Sequence, residues 1–162
     1  MAKVMSNHLK ALLFLDDITI SPVAPSRDKG YTVQHFEYRC ERSVDDNGIP
    51  FGSTLSVILK TSLKITSPNA GKALFERLKQ NERYPFTFLF NATFDDDQKV
   101  ADYGDGMVVY GYVVDIEESH VWASDEAESE QQMLIAFDIL VASITYLGRD
   151  NNKSLYIIHS CD

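Results

Sequence analysis

The residues with chemistry to offer in this chain are four histidines, two cysteines and several runs of carboxylates. His8, His35, His120 and His159 stand far apart, with no His-x-x-x-His or Cys-x-x-Cys spacing that would gather metal ligands. Cys40 and Cys161 lie at distant points of the chain, and reduced thiols are the expectation for them. His35 and Cys40 differ in parity, so a regular strand sends them to opposite faces. Glu117-Glu118 could in principle divide acid and base work, but adjacent residues on a strand point apart. Asp95-Asp96-Asp97 offers oxygens to a cation, yet it lacks the alternating ligands and distal Glu of a calcium loop. A hairpin turn is the better reading, since Asp favours turns. There is no G-x-S-x-G elbow, and Gly71-Lys72 lacks the glycine-rich loop of a phosphate site. The sequence therefore predicts no catalytic residue, no metal site, no cofactor and no enzyme.

The elements around these residues read as strands. Tyr31–Glu41 places Phe36, Tyr38 and Cys40 on one side, and Thr54–Ile65 places Leu55, Val57, Leu59, Leu63 and Ile65 on one side. Between them lies a polar loop, 43–52, carrying Ser43, Asp45, Asp46, Asn47, Gly48, Pro50 and Phe51. A short strand precedes them at Leu9–Leu15, followed by a polar connection at 16–30. Ser67 reads as an N-cap and Pro68 as the first helical residue; Ala70, Leu74 and Leu78 then recur on one face, and the helix stops near Asn81. Phe86, Phe88, Phe90, Ala92 and Phe94 make one face of the next strand, with Asp95–Asp97 as its turn.

Met107–Glu117 and Gln132–Ile144 are apolar on both parities. A one-layer barrel has a single buried face, so such strands predict cover from the helix, from the tails or from another subunit, with a subunit favoured for part of it. Residues 118–131 are polar and acidic and read as a loop; Leu155–His159 adds a last short strand. One domain, 1–162, follows: a mainly β, small antiparallel barrel of about six strands with one flanking α-helix and a C-terminal extension at 144–162.

The chain carries a formal net charge of −9. Residues 1–94 hold 12 Lys and Arg against 9 Asp and Glu, a net of +3, and residues 95–162 hold 3 against 15, a net of −12. This balance argues against nucleic acid as a partner, because phosphate contacts need clustered Lys and Arg. It reads either as a solvated acidic surface or as charge complementarity between copies. The apolar run Ala11–Leu15 is too short for a signal peptide or a membrane span, so no membrane partner is expected.

The order strand, Asp/Gly/Pro loop, long strand, short helix, aromatic strand resembles the tube protein of type VI secretion systems, the Hcp family. It is most similar to the Bacteroidetes branch, whose D-x-x-G-x-P loop corresponds to Asp45, Gly48 and Pro50. That branch has Trp in the helix motif where this chain has Arg77. The resemblance implies a six-stranded barrel that assembles as a six-membered ring. Rings stack into a tube able to carry effectors in its lumen, with secretion-machine components and effector proteins as partners. It further implies that loop 43–52 touches neighbouring subunits, and that the chain is cytoplasmic or leaves through the type VI machine without a signal peptide. Two alternatives stand beside it. One is a monomeric barrel holding a small apolar ligand behind its phenylalanine face. The other is an Hcp-like accessory protein that forms no tube.

Overall fold

Alternation of apolar and polar residues drives the central hairpin. The computed structural model describes residues 11–42, 44–49, 56–66, 68–122, 131–148 and 153–157. Strand β2 (Tyr31–Glu41) pairs antiparallel with β3 (Ser56–Ile65), whose Val57, Leu59, Leu63 and Ile65 point into the core. The other strands are β1 (Ala11–Phe14), β4 (Tyr84–Phe90), β5 (Thr93–Phe94), β6 (Val100–Asp102), β7 (Asp105–Trp122), β8 (Gln131–Leu147) and β9 (Lys153–Ile157). The sheet runs β3-β2-β1-β4-β7-β8-β9, and a further pairing of β3 with β8 closes six of these strands into an antiparallel barrel. β9 adds to β8 at Ser143–Leu147, beyond the stretch that β3 occupies. Closure removes most of the exposed backbone edge.

The barrel is filled by side chains. Leu59, Leu63, Phe86, Phe88, Ile135, Phe137 and Ile139 are wholly buried, with the Phe86 and Phe137 rings 5.9 Å apart. Phe36 packs edge-on against Phe88 and Phe90 at 4.8 and 5.1 Å. The single α-helix among the described residues, α1 (Pro68–Leu78), lays Leu74 and Leu78 on this core and leaves Lys72 and Glu76 outside. Ser67, the expected N-cap, lies outside the described residues. Arg77 fastens the helix: it donates to the Leu15 carbonyl at 2.7 Å, and its guanidinium lies 4.4 Å over the Tyr84 ring. A flat cation thus fills a place beside an aromatic ring.

Several boundaries differ from the sequence expectation. The phenylalanine strand stops at Phe90, because Asn91 adopts φ 62 and turns the chain. Ala92 and Phe94 therefore leave the barrel face and join a second apolar cluster with Leu12, Phe14, Ile18, Leu89, Val100 and Val108. The connection 16–30 covers that cluster; Arg27 N–H donates to the Gln98 carbonyl at 2.7 Å and Val100 N–H to the Pro25 carbonyl at 3.0 Å. The buried Thr87 hydroxyl is satisfied by donating to the Asp16 carbonyl at 2.6 Å. Residues 118–122 and 131, read as loop, are strand, because the ladder continues from Ser119↔Leu134 to Trp122↔Gln131 and cross-strand pairing outweighs their polarity. Finally, Ile144–Leu147 belong to β8, with Ile144 fully buried, so the extension begins after the barrel strand.

The two-sided patterns have a local cause that parity counting missed. β7 and β8 pair with register shifts between Tyr110 and Gly111 and between Val113 and Asp115. Each shift inserts one extra residue, Ala142 on β8 and Val114 on β7, and swaps the faces beyond it. Val141 and Ile144 consequently both reach the core, as do Val113 and Ile116. Gly111 lies at the first shift, where an added Cβ would stand 2.3 Å from the Leu140 carbonyl oxygen. Gly111→Val should thus destabilise the fold by roughly 1–3 kcal/mol, read as a lower urea midpoint; an unchanged midpoint would show that the strands tolerate a side chain there.

Candidate assembly surface

The surface with distinctive geometry is a four-stranded sheet, β2-β3-β8-β7, within the barrel. β1 reaches β2 only at Tyr31 and Thr32, and β4 reaches β7 only from Asp105 to Gly111. Among the described residues, no strand lies against β2 from Val33 to Glu41 or against β7 from Tyr112 to Ser119 on those sides. Among the described residues the sheet therefore has two open edges. Only β3 and β8 separate them in an antiparallel run, so β2 and β7 point in opposite directions.

The registers fix what the sheet shows on the face away from the core. One row across it reads Arg39, Ile58, Leu140, Tyr112; the next reads Glu37, Lys60, Asp138, Asp115; a third reads His35, Ser62, Ala136, Glu117. Charge is graded across these rows, with the cations on β2 and β3 and only carboxylates on β8 and β7. Short side-chain contacts run along the edges: hydrogen bonds of His35 Nε2 with Glu37 at 2.7 Å and of His120 Nε2 with Glu118 at 2.8 Å, and an Arg39–Glu41 ion pair at 3.2 Å. Where β7 leaves β4, three apolar side chains stand open: Tyr110 at 42%, Tyr112 at 39% and Val114 at 54% exposure. The Arg83 guanidinium lies 5.0 Å over the Tyr112 ring.

At the end of β2 the chain enters the loop singled out in the sequence. Asp45, Asp46, Asn47 and Gly48 form its tight turn; Ser43, Pro50 and Phe51 lie outside the described residues. The Asp45 carboxylate accepts from the backbone N–H of Asn47 and Ile49, both at 2.9 Å, and Gly48 N–H donates to the Asp45 carbonyl at 2.9 Å. Gly48 adopts φ 79, the left-handed region that glycine enters without strain. Val44 and Ile49 flank the turn with 55% and 58% of their surface open.

The Asp95–Lys99 turn repeats this construction. The Asp95 carboxylate accepts from Asp97 and Lys99 N–H at 2.9 and 3.0 Å, and Gln98, at φ 62, holds the place of Gly48. This carboxylate is engaged in a hairpin turn. Among the described residues, no group of three or more His, Cys, Asp or Glu is placed to hold a metal. The two phenols pushed above their ordinary value lie elsewhere: Tyr31, raised by burial, packs on the barrel core, and Tyr103, raised by burial and then by Asp17, packs on the second apolar cluster. The open edges were not read from the sequence; the mismatch of strand lengths, long β2 and β7 beside short β1 and β4, was the available signal.

No protein-family model and no curated protein matches the chain. Solved structures do. A crystal structure of an Hcp protein superposes with TM-score 0.57 at 9% identity, covering 91% of this chain and 99% of that one. A doubly mutated Hcp1 from E. coli EAEC 042 gives 0.53 at 12% identity, covering 92% and 98%. The chain has the Hcp fold.

The paired turns predict opposite mutational effects. Gly48→Val should destabilise by roughly 1 kcal/mol or more through backbone strain alone, since a Cβ there meets open space. Gln98→Gly should be neutral or stabilising by about 0.5–1 kcal/mol. Thermal melting of both variants checks this, and a destabilised Gln98→Gly would show that its side chain matters more than its φ.

Proposed function

We propose that this chain is a self-assembling tube subunit of the type VI kind. Copies join side by side into a closed ring by pairing the β2 edge of one with the β7 edge of the next. The single observation that carries this reading is the pair of open edges, of opposite direction, at the two sides of one sheet. Rotation about an axis along the strands brings β7 beside the next β2 in antiparallel sense, continuing the sheet without a break. The contact is heterologous and closes only as a ring. In the fuller form of this proposal the ring has six members, rings stack, and effectors ride in the lumen. Secretion-machine components then handle the tube. The face described by the three rows would line that lumen.

The Hcp fold supports this reading, and no catalytic step enters it. Among the described residues no helix is long and apolar enough to cross a membrane. The alternative of an apolar ligand inside the barrel gains nothing from the phenylalanine face, because Phe86 and Phe88 are wholly buried in packed core.

The mass of the purified protein by light scattering tests the proposal. A ring mass is expected, near six subunits in the fuller form. The graded charge across the sheet further predicts that assembly weakens as salt rises from 50 to 500 mM, about the range over which screening shortens to a few ångströms. A monomer at all concentrations would overturn the proposal. A ring indifferent to salt would keep the ring and remove the electrostatic part.

A further inference from the structure

We infer that the connection 16–30 and the segment 91–104 form a clasp that opens while the barrel stays closed, uncovering an apolar face of β1, β4 and β7. This device belongs to the single chain and does not depend on ring assembly. Both segments are excursions from ladders that are complete without them. β1 and β2 pair at Leu13↔Tyr31, on either side of the connection, and β4 and β7 pair at Phe90↔Asp105, on either side of 91–104. The excursions leave from opposite ends of β1, because Phe14 stands level with Thr87 and Ala11 with Phe90. The second turns out of the barrel on two left-handed residues, Asn91 at φ 62 and Gly104 at φ 65. Its β5–β6 hairpin then meets the connection over the sheet. Ser26 bridges Lys99 in antiparallel sense, fastened by the hydrogen bonds from Arg27 to Gln98 and from Val100 to Pro25. The Arg27 guanidinium adds a contact 5.1 Å over the Phe94 ring.

What the clasp covers and what holds it differ in kind. Beneath it Leu12, Phe14, Leu89 and Val108 form a cluster separate from the barrel core. The clasp itself contributes only two buried large apolar side chains, Ile18 and Val100. Ile20 and Val23 of the same connection stand outside at 76% and 59% exposure and add nothing to its hold. Polar bonds tie its root. The Thr87 hydroxyl donates to the Asp16 carbonyl at 2.6 Å and accepts from Ile18 N–H at 3.3 Å, while Arg77 donates to the Leu15 carbonyl at 2.7 Å. Such bonds exchange for bonds to water at small net cost. The barrel, by contrast, cannot open without exposing Phe86, Phe88 and Phe137. Segments anchored by few buried apolar side chains are the ones that open below the global unfolding free energy.

Native-state hydrogen exchange of the unmodified chain tests the clasp. The Ile18, Arg27 and Val100 amides should exchange together, roughly a hundredfold or more faster than the ladder amides of β3 and β8. Exchange at the barrel's own rate would overturn the inference. A covalent lock supplies a second readout. Ser26 and Lys99 form a non-hydrogen-bonded antiparallel pair, whose Cα spacing of about 4.5 Å suits a disulfide. Ser26→Cys with Lys99→Cys, in a Cys40→Ser, Cys161→Ser background, should on oxidation slow exchange at Ile18 and Val100 by about tenfold or more. The amides of β3 and β8 should slow less, and reduction should reverse the effect. Slowing by one factor throughout would show that clasp and barrel open only together, against the inference. In urea below the barrel's unfolding midpoint, the reduced form should bind an apolar fluorescent dye and the locked form should not. Equal dye binding by both would count against the uncovered face.

Discussion

Everything distinctive about this molecule depends on two short strands closing a barrel made from four long ones. β1 and β4 carry the closure between β2 and β7, but they meet those strands only at Tyr31–Thr32 and Asp105–Gly111. Had they matched their neighbours in length, every backbone edge would be satisfied internally and the barrel would be self-sufficient. Because, among the described residues, they do not, the closed part supplies stability while the remaining sheet offers two rows of backbone donors and acceptors that no described strand pairs. The filled interior bears on this point too. Phe86, Phe88, Phe137 and the leucines around them form a core that does not need a partner to be buried, so the edges are held open by a rigid body.

Much of the architecture was legible in the sequence, and the losses have physical causes. The alternation of Val57–Ile65, the 4-residue recurrence of Ala70, Leu74 and Leu78, and the turn chemistry of Asp45–Gly48 and Asp95–Asp97 are local signals that survive folding. What failed was parity across β7 and β8. An extra residue at Ala142 and another at Val114 reverse the faces, and no local composition announces a bulge. The same limit hid the break at Asn91, a residue that reads as strand until its positive φ is seen. The acidic stretch after Glu117 misled in the opposite direction: its polarity suggested loop, while pairing with Leu134 and Met133 extends the strand.

The loop at 44–49 was legible as a feature, but its surroundings were not. Spacing gave the turn, and the glycine's role follows from φ 79. That exposed Val44 and Ile49 flank it, and that exposed tyrosines stand at the far side of the same sheet, are facts of three-dimensional placement. The expectation that another subunit covers part of β7 narrows accordingly. Bulges account for Val113 and Ile116, and the connection 16–30 accounts for Val108. What remains uncovered is the short stretch Tyr110–Val114.

Open edges invite indiscriminate pairing, and the side chains along them bear on how that is limited. On β2 Arg39 pairs with Glu41 and His35 hydrogen-bonds with Glu37 within their own strand, at exposed positions where a surface ion pair contributes about 0–1 kcal/mol. Pairs this weak cost little to rearrange when a complementary edge arrives. They still place charge where an unrelated flat strand would have to desolvate it, the usual protection of edge strands. The carboxylates at Asp115, Glu117 and Glu118 do the same on β7, with opposite balance to the cations of β2 and β3. A β7 edge approaching another β7 edge meets like charge, whereas the β2 edge presents Arg39 between Glu37 and Glu41.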